Sequence, residues 1–504
     1  MQNINPITKQ DYPDPDIIRV NDTYYLLSTT MHFFPGGAIL RSYDLVNWEI
    51  VNYLYADELD GASNEALAFE QNIYGRGMWA PTLRYHNGTF YALFVSIEAQ
   101  NTYLFTATDP LAKWEKKCLT GMYYDASLLF DEDKVYIIHG NRHIYATELD
   151  LENLTAKEGG LNKEIFADNS DSGLGYEGSH AYKINGYYYV FNIHWPRNCV
   201  RTQVVHRAAS IEGPYEKKIL IQDDCGLRNK GVAQGGVVDT PDGKWYGFFF
   251  RDQGACGRVP FLTPITWEEN FPVVGSDYKI PEFEAPASTN PKHKYEPLYT
   301  SDITENVNGC NVIKKQWQWN HTPDSSSYSI GENTYSITTD KICTSIVQAR
   351  NTLTQRTYWD KCSAEVTVDA SHINEFDHAG FAIFSSCYGQ LSITKELNEY
   401  YLCLITREGD EVFDGRHDTL QGNLIEKIRL DSPIIRLRID VDFEGLKDIA
   451  RFSYKTKKTY ESLSFNHKMA FKLDHFCGCR FALFNYSTRR IGGTATFSDF
   501  KYTK

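Results

Sequence analysis

The chain has 504 residues, 42% of them hydrophobic, with 51 basic against 65 acidic side chains and a net charge of −14. That length exceeds one ordinary domain, and the apolar share is enough for sizeable cores, so a wholly disordered chain is excluded. The acidic balance and the lack of a polybasic run argue against nucleic acid or an anionic membrane as partner.

Aromatic residues make up 14%, with 34 Tyr, 28 Phe and 9 Trp, against only 5 Met. Such a load suits strands and flat stacking surfaces, for which sugars are natural ligands, and few stretches suit long helices. The expected class is therefore all-β. The 11 cysteines run from Cys118 to Cys479 with no repeated spacing. Cys477-Gly478-Cys479 is the one close pair and has no second pair at zinc-site spacing, so free buried thiols of a reducing compartment are expected. The opening stretch lacks the basic and apolar regions of a signal peptide, and no long apolar run spans a membrane, which points to a cytoplasmic protein.

In chain order, five segments leave a turn and enter an aromatic strand: Asp22-Thr-Tyr-Tyr25, Gly88-Thr-Phe-Tyr91, Asp133-Lys-Val-Tyr136, Gly186-Tyr-Tyr-Tyr189 and Gly243-Lys-Trp-Tyr246. Their last Tyr residues are separated by 66, 45, 53 and 57 positions. Turn residues followed by an apolar strand mark hairpins. Five of them at blade-sized spacing predict a five-bladed β-propeller over residues 1–290. The repeat stops in the Pro-rich, polar stretch from Pro281 to Asp302, whose end, 291–302, is taken as the linker. Alternating strands such as 363–369 and 434–441 then predict an antiparallel β-sandwich over 303–504.

Matched positions precede the marker tyrosines. Asp14 and Asp125 lie 11 residues before Tyr25 and Tyr136, while Trp79, Glu177 and Gln234 lie 12 before Tyr91, Tyr189 and Tyr246. In a propeller the innermost strands surround the axis, so equivalent positions at their starts ring one mouth of the channel. Three carboxyls, a Trp and a Gln would meet there. Cleaving a glycosidic bond needs one carboxyl protonated for the leaving oxygen and another ionised, and a third can raise the pKa of the acid. Small residues after two of the acids, Ala126 and Gly178, would let a sugar ring approach closely.

At these residues the chain resembles glycoside hydrolase family 43. The family's base motif matches Asp14-Pro15, its second Asp matches Asp125 in Tyr124-Asp-Ala-Ser-Leu, and its general acid matches Glu177 in Tyr176-Glu-Gly-Ser-His-Ala-Tyr-Lys. Further similar strings are His32-Phe-Phe-Pro-Gly36, Asp44-Leu-Val-Asn-Trp48, Met78-Trp-Ala-Pro81, Gln234-Gly-Gly-Val-Val-Asp-Thr-Pro241, Gly257-Arg258-Val and Pro264-Ile-Thr-Trp267. Beyond residue 303, Gln316-Trp-Gln-Trp-Asn-His-Thr-Pro-Asp324 and Gln348-Ala-Arg-Asn-Thr-Leu-Thr-Gln-Arg356 resemble the concanavalin-like sandwich of xylosidase- and arabinofuranosidase-type members.

The resemblance implies inverting hydrolysis, with Asp14 as general base, Glu177 as general acid and Asp125 tuning and orienting that acid. Inversion expects the base and acid carboxyls about 6.5–9.5 Å apart. Phe33, Trp79, His180, Gln234 and Arg258 are the expected substrate contacts, and a sandwich loop over 373–379, led by Phe376, is expected to narrow the pocket. No cofactor is required and no metal ligand is assigned. A structural calcium in the channel is left open, because some members hold one through a His where this chain has Ala233, and His180 or His139 could stand in for it.

The implied substrates are arabinose- or xylose-containing oligosaccharides, cut exo-fashion at a terminal α-L-arabinofuranose or β-D-xylose. Endo-arabinanase action and a non-catalytic sugar-binding propeller are the alternatives. The invertase-like clan is disfavoured by Pro13-Asp-Pro-Asp16 and by Glu177-Gly178, where it carries Asn-Asp-Pro-Asn and Glu-Cys. Oligomeric state is left open.

Overall fold

A computed structural model describes residues 4–60, 63–68, 71–227, 229–408, 421–455, 459–472 and 476–504. Among them there is no α-helix, only four short 3₁₀ turns among the strands, and no helix long and apolar enough to cross a membrane.

Five antiparallel sheets form the first part. The first blade comprises Asp16–Val20, Thr23–Ser28, Gly36–Ser42 and Glu49–Tyr55. The others have innermost strands Thr82–His86, Ser127–Asp131, Ser172–Ile184 and Ala233–Asp239. Each marker Tyr lies on the second strand of its blade, hydrogen-bonded to the innermost one. The hairpins between those two strands follow the turn chemistry. Asn87-Gly88 and Asn185-Gly186 each hold two consecutive positive φ angles (48° and 81°, 50° and 82°), as a two-residue type I′ turn requires.

The innermost strands pack in ring order, and Asp16–Val20 lies against both Thr82–His86 and Ala233–Asp239, which closes the five-bladed propeller. The N-terminal segment braces the closure: Ile7 N donates to Pro260 O and Tyr12 N to Arg258 O, both at 2.9 Å. Alternating apolar residues from adjacent blades interlock between the sheets. Burying each large side chain there contributes about 1.5–3 kcal/mol.

The chain leaves the fifth blade at Phe271–Val273 and runs along the first, where Thr289 N donates to Tyr43 O (2.8 Å) and His293 meets Glu49 (2.8 Å). It then builds a sandwich of an eight-stranded and a seven-stranded antiparallel sheet. The eight-stranded sheet includes a strand of the propeller, Phe33–Phe34, paired with Trp317–Asn320. Arg356 Nε donates to Asp11 O at 2.8 Å and Gln318 Nε2 to Pro35 O at 2.6 Å across the same seam. Sheet pairing and buried hydrogen bonds therefore join the two parts.

All 11 cysteines are free. Seven are buried, as expected, but Cys118, Cys199, Cys225 and Cys310 are exposed. These four stand on outer strands and connections, away from both cores.

Candidate active site

In every blade but the second, the backbone is unusual at or beside the matched position. Asp14 (φ 48°), Asp125 (46°) and Gln234 (57°) are left-handed, and so is Gly178 (58°), next to Glu177. A non-glycine residue in this region costs about 1–3 kcal/mol and persists only where its surroundings over-determine it. Here the result is a turn of the strand that swings side chains of different blades into one mouth. The spacing of Glu177 is absorbed by register shifts on either side of it.

Asp14, Trp79, Asp125, Glu177, Gln234 and Arg258, six of the residues expected there, line a single cavity of ≈540 Å³. Asp14 Oδ1 accepts from Arg258 Nη1 at 2.6 Å. Asp125 Oδ2 accepts from Gly178 N at 3.2 Å, and Ser179 N donates to Asp125 O at 3.2 Å, so Asp125 is tied to the strand that carries Glu177. Glu177 Oε2 accepts from Asn141 Nδ2 (2.5 Å) and Tyr124 Oη (3.3 Å).

Electrostatics separates the three acids. Burial lifts all of their carboxyls above the ordinary range. For Asp14 the Arg258 guanidinium, in ion contact, works against that lift. Burial pushes Glu177 up to about 7, opposed by Arg258 and the Tyr124 hydrogen bond and helped by the charge of Asp14. Asp125 is raised well above its usual range by burial and then by the charges of Glu177 and Asp14. One strong counter-charge cannot support three buried anions, so the site keeps a proton near neutral pH, away from the ion-paired Asp14.

Several lining residues have no local signal in the sequence. Arg201 Nη1 pairs with Asp252 Oδ2 at 2.7 Å, and Asp252 Oδ1 lies 3.4 Å from Arg258 Nε. This buried chain, Arg201–Asp252–Arg258–Asp14, links the fourth, fifth and first blades. Met31, Asn141, Trp195 and Lys230 complete the walls, and Phe471 and Phe476 enter from the sandwich. Phe476 meets the Trp79 ring edge-on at 5.5 Å and lies 5.1 Å from the Arg258 guanidinium.

Four expectations are corrected. Phe376 is away from the cavity, with Arg489 stacked on its ring at 3.5 Å and its carbonyl accepting from Thr488. The intruding aromatics are Phe471 and Phe476 instead. Phe33 is buried at the seam beneath the Arg480 guanidinium (3.5 Å), where its strand joins the sandwich sheet, and Met31 takes the place on the wall. His180 lies one layer below the cavity, with Nδ1 3.0 Å from Asp16 Oδ1. Finally, the space beside Gly178 is filled by Gln234, since a Cβ there would stand 2.6 Å from Gln234 Cδ. Glycine is needed for its positive φ and for this contact, and neither Gly178 nor Ala126 lines the cavity.

Below the acids the axis is occupied by Asp16, Arg84 and His180. Burial alone would raise Asp16, but the charges of Arg84 and His180 overcome it and hold the carboxyl below its usual range. These residues do not suit a calcium ion. Arg84 already fills the position between the strands, Ala233 offers no ligand, and His139 meets Thr147 on its own blade. Among the described residues no three His, Cys, Asp or Glu side chains converge as metal ligands.

A propeller that gathers an ion-paired carboxylate and two further acids in one axial cavity has the constellation that glycoside hydrolysis requires. The family model for glycosyl hydrolases family 43 matches residues 4–272, and that for the beta xylosidase C-terminal concanavalin A-like domain matches 311–503. The chain belongs to glycosyl hydrolases family 43.

A beta-xylosidase of Formosa agariphila is 30% identical over 363 residues, 65% of this chain and 60% of that protein. A non-reducing end alpha-L-arabinofuranosidase of Bacteroides ovatus is 31% identical over 299 residues, 55% of this chain and 54% of the relative. Among solved structures, a bifunctional GH43-CE protein of Bacteroides eggerthii is similar over 99% of this chain and 63% of its own, with a TM-score of 0.89 and 36% identity. The chain thus spans less than two thirds of the length of each.

Proposed function

We propose that the protein is an exo-acting, inverting glycosidase that releases terminal pentoses, α-L-arabinofuranose or β-D-xylose, from hemicellulose- or arabinan-derived oligosaccharides. The observation that carries this reading is the wall formed by Phe471 and Phe476. The sandwich covers one side of the axial mouth, so the cavity suits a chain end better than the middle of a polymer. The same wall speaks against endo-arabinanase action, and the retention of all three acids speaks against a non-catalytic sugar-binding propeller. Relatives with beta-xylosidase and alpha-L-arabinofuranosidase names support the pentose class.

In this reading Glu177 gives its proton to the glycosidic oxygen as the bond to the anomeric carbon breaks. Water attacks that carbon from the opposite face and loses its proton to Asp14. Arg258 occupies Asp14 Oδ1 and leaves Oδ2 to take the water proton. Asn141 and Tyr124 hold Glu177 Oε2, so Oε1 carries the proton that is transferred. Burial and the charge of Asp14 keep Glu177 protonated, and Asp125 orients the strand of Glu177 through Gly178 N. Solvent then returns a proton to Glu177 and removes one from Asp14.

The test is kcat/KM on 4-nitrophenyl α-L-arabinofuranoside and 4-nitrophenyl β-D-xylopyranoside, with proton NMR of the first product. Turnover of at least one, with inverted configuration, is expected. A folded protein inactive on both overturns exo-pentosidase action, and retained configuration overturns the roles of Asp14 and Glu177.

A further inference from the structure

Arg84 is buried on the propeller axis, and each of its five N–H groups has an acceptor. Nη1 donates to Asp16 Oδ2 and to Leu83 O, both at 2.6 Å. Nη2 donates to Ser127 Oγ at 2.8 Å and to Ala181 O at 3.1 Å, and Nε donates to Leu128 O at 2.9 Å. These acceptors belong to the first four blades. The fifth is engaged through Tyr182, whose ring lies 4.8 Å from the guanidinium and whose hydroxyl accepts from Val237 N at 3.1 Å. Gly236 permits that approach, because a Cβ there would stand 2.5 Å from Tyr182 Oη and 3.0 Å from Asp16 Oδ1.

The residues gripped are close along the chain to the acids. Asp16 is two positions after Asp14, Ser127 two after Asp125, and Ala181 four after Glu177. Asp16 is also bound by Leu83 N (2.7 Å), Thr82 Oγ1 (3.0 Å) and His180 Nδ1 (3.0 Å), while Ser127 Oγ accepts from Ala181 N at 2.9 Å. A planar five-donor fork suits this task better than an ammonium, which is a point charge with three rotatable donors.

We propose that Arg84 is the hub cation of the propeller: its guanidinium takes the place that a metal ion could hold on the axis, and it is the positioning residue that fixes the spacing of Asp14, Asp125 and Glu177. The positioning half rests on the reaction proposed above; the hub half does not. Holding reacting groups in place is worth a great deal, since a displacement of about 1 Å can cost about 10²-fold in rate. The hub also carries its own charge balance, with buried Arg84 set against fully buried Asp16.

The experiment compares wild type, Arg84→Lys and Arg84→Ala by thermal unfolding and by turnover of both 4-nitrophenyl pentosides, each with chelator, calcium or millimolar guanidinium. Wild-type melting temperature and kcat are expected to be unchanged by chelator and by calcium. Arg84→Ala is expected to lose about 10²-fold in kcat, with KM within a few-fold, and to regain part of kcat and melting temperature on adding guanidinium, which does nothing for wild type. A residue that merely filled space would show no such rescue.

Chelator-sensitive wild type restored by calcium overturns the hub, as does Arg84→Ala with unaltered melting temperature. Unaltered kcat in that variant, or in Arg84→Lys if the alanine variant does not fold, overturns the positioning role. A wild type that turns over no pentoside refutes the proposed reaction, and the melting arms still decide the hub.

Discussion

Arg258 and Asp14 form a buried ion pair, Nη1 to Oδ1 at 2.6 Å, that joins the fifth blade to the first at the rim of the cavity. The pair is itself anchored, because Asp252 lies 3.4 Å from Arg258 Nε and is held on its other oxygen by Arg201. Burial raises Asp252, and the two arginines more than compensate, keeping it a fixed anion. Arg258 is thus placed by a partner that takes no part in proton transfer, and its charge can be directed at Asp14.

Replacing Arg258 by Met should leave Asp14 buried without its counter-charge. Its carboxyl would rise further, so the acid limb of kcat/KM against pH should move to higher pH. Breaking a buried pair of this kind costs about 3–5 kcal/mol, and the melting temperature should fall with it. An acid limb that stays in place would show that Arg258 does not govern the base.

Glu177→Ala should reduce cleavage of natural oligosaccharides by about 10²–10⁴-fold, the usual worth of a general acid. Substrates with a 4-nitrophenolate-like leaving group, which needs little protonation, should lose far less. In wild type, activity on natural links should decline as pH rises through about 7, where the raised Glu177 carboxyl gives up its proton. Steady-state kinetics on both substrate types between pH 5 and about 9 checks both statements. Equal losses on the two types would remove the acid role.

The two phenylalanines of the sandwich offer a paired comparison. Phe476→Ala should raise KM by about 3- to 10-fold, equivalent to roughly 0.5–1.5 kcal/mol of lost ring contact. Phe376→Ala, away from the cavity beneath Arg489, should leave KM and kcat as they are. The reverse pattern would mean that the wall is built by the loop over 373–379.

Acid stability follows from two buried imidazoles. Burial pulls both His206 and His321 down from 6.5 to about 3. Above pH 6.5 both are neutral whether the chain is folded or not, and their contribution is whole. Between 6.5 and about 3 the unfolded chain takes up protons that the folded one refuses, so stability is lost as pH falls. Below pH 6.5 the melting temperature of wild type should therefore fall relative to that of His206→Phe, a substitution at a ring stacked 3.9 Å from Phe166.

The repeated turn-and-Tyr segments, the all-β class and the three acids at matched offsets were all legible along the chain. Strand periodicity and type I′ turn chemistry are local, and a closed ring of blades converts equal offsets into convergence on the axis. Asp14, Trp79, Asp125, Glu177 and Gln234 therefore meet as their spacing predicts. Arg258 could be placed only through the family likeness.

What only the tertiary structure decided lies between elements distant in sequence. Phe33 has the pattern of a pocket aromatic, but its strand pairs with Trp317–Asn320, which seats it beneath Arg480. His180 follows Glu177 closely, yet strand alternation and the hub turn it away from the cavity towards Asp16. The choice of Phe476 over Phe376 depends on which connection of the sandwich faces the propeller. That is fixed by sheet pairing and by the buried hydrogen bonds of the seam, and no periodicity within either segment encodes it. The Arg201–Asp252–Arg258–Asp14 chain is likewise assembled from separate blades. Charges so far apart in sequence declare their partners only once burial makes an unpaired ion too costly to leave.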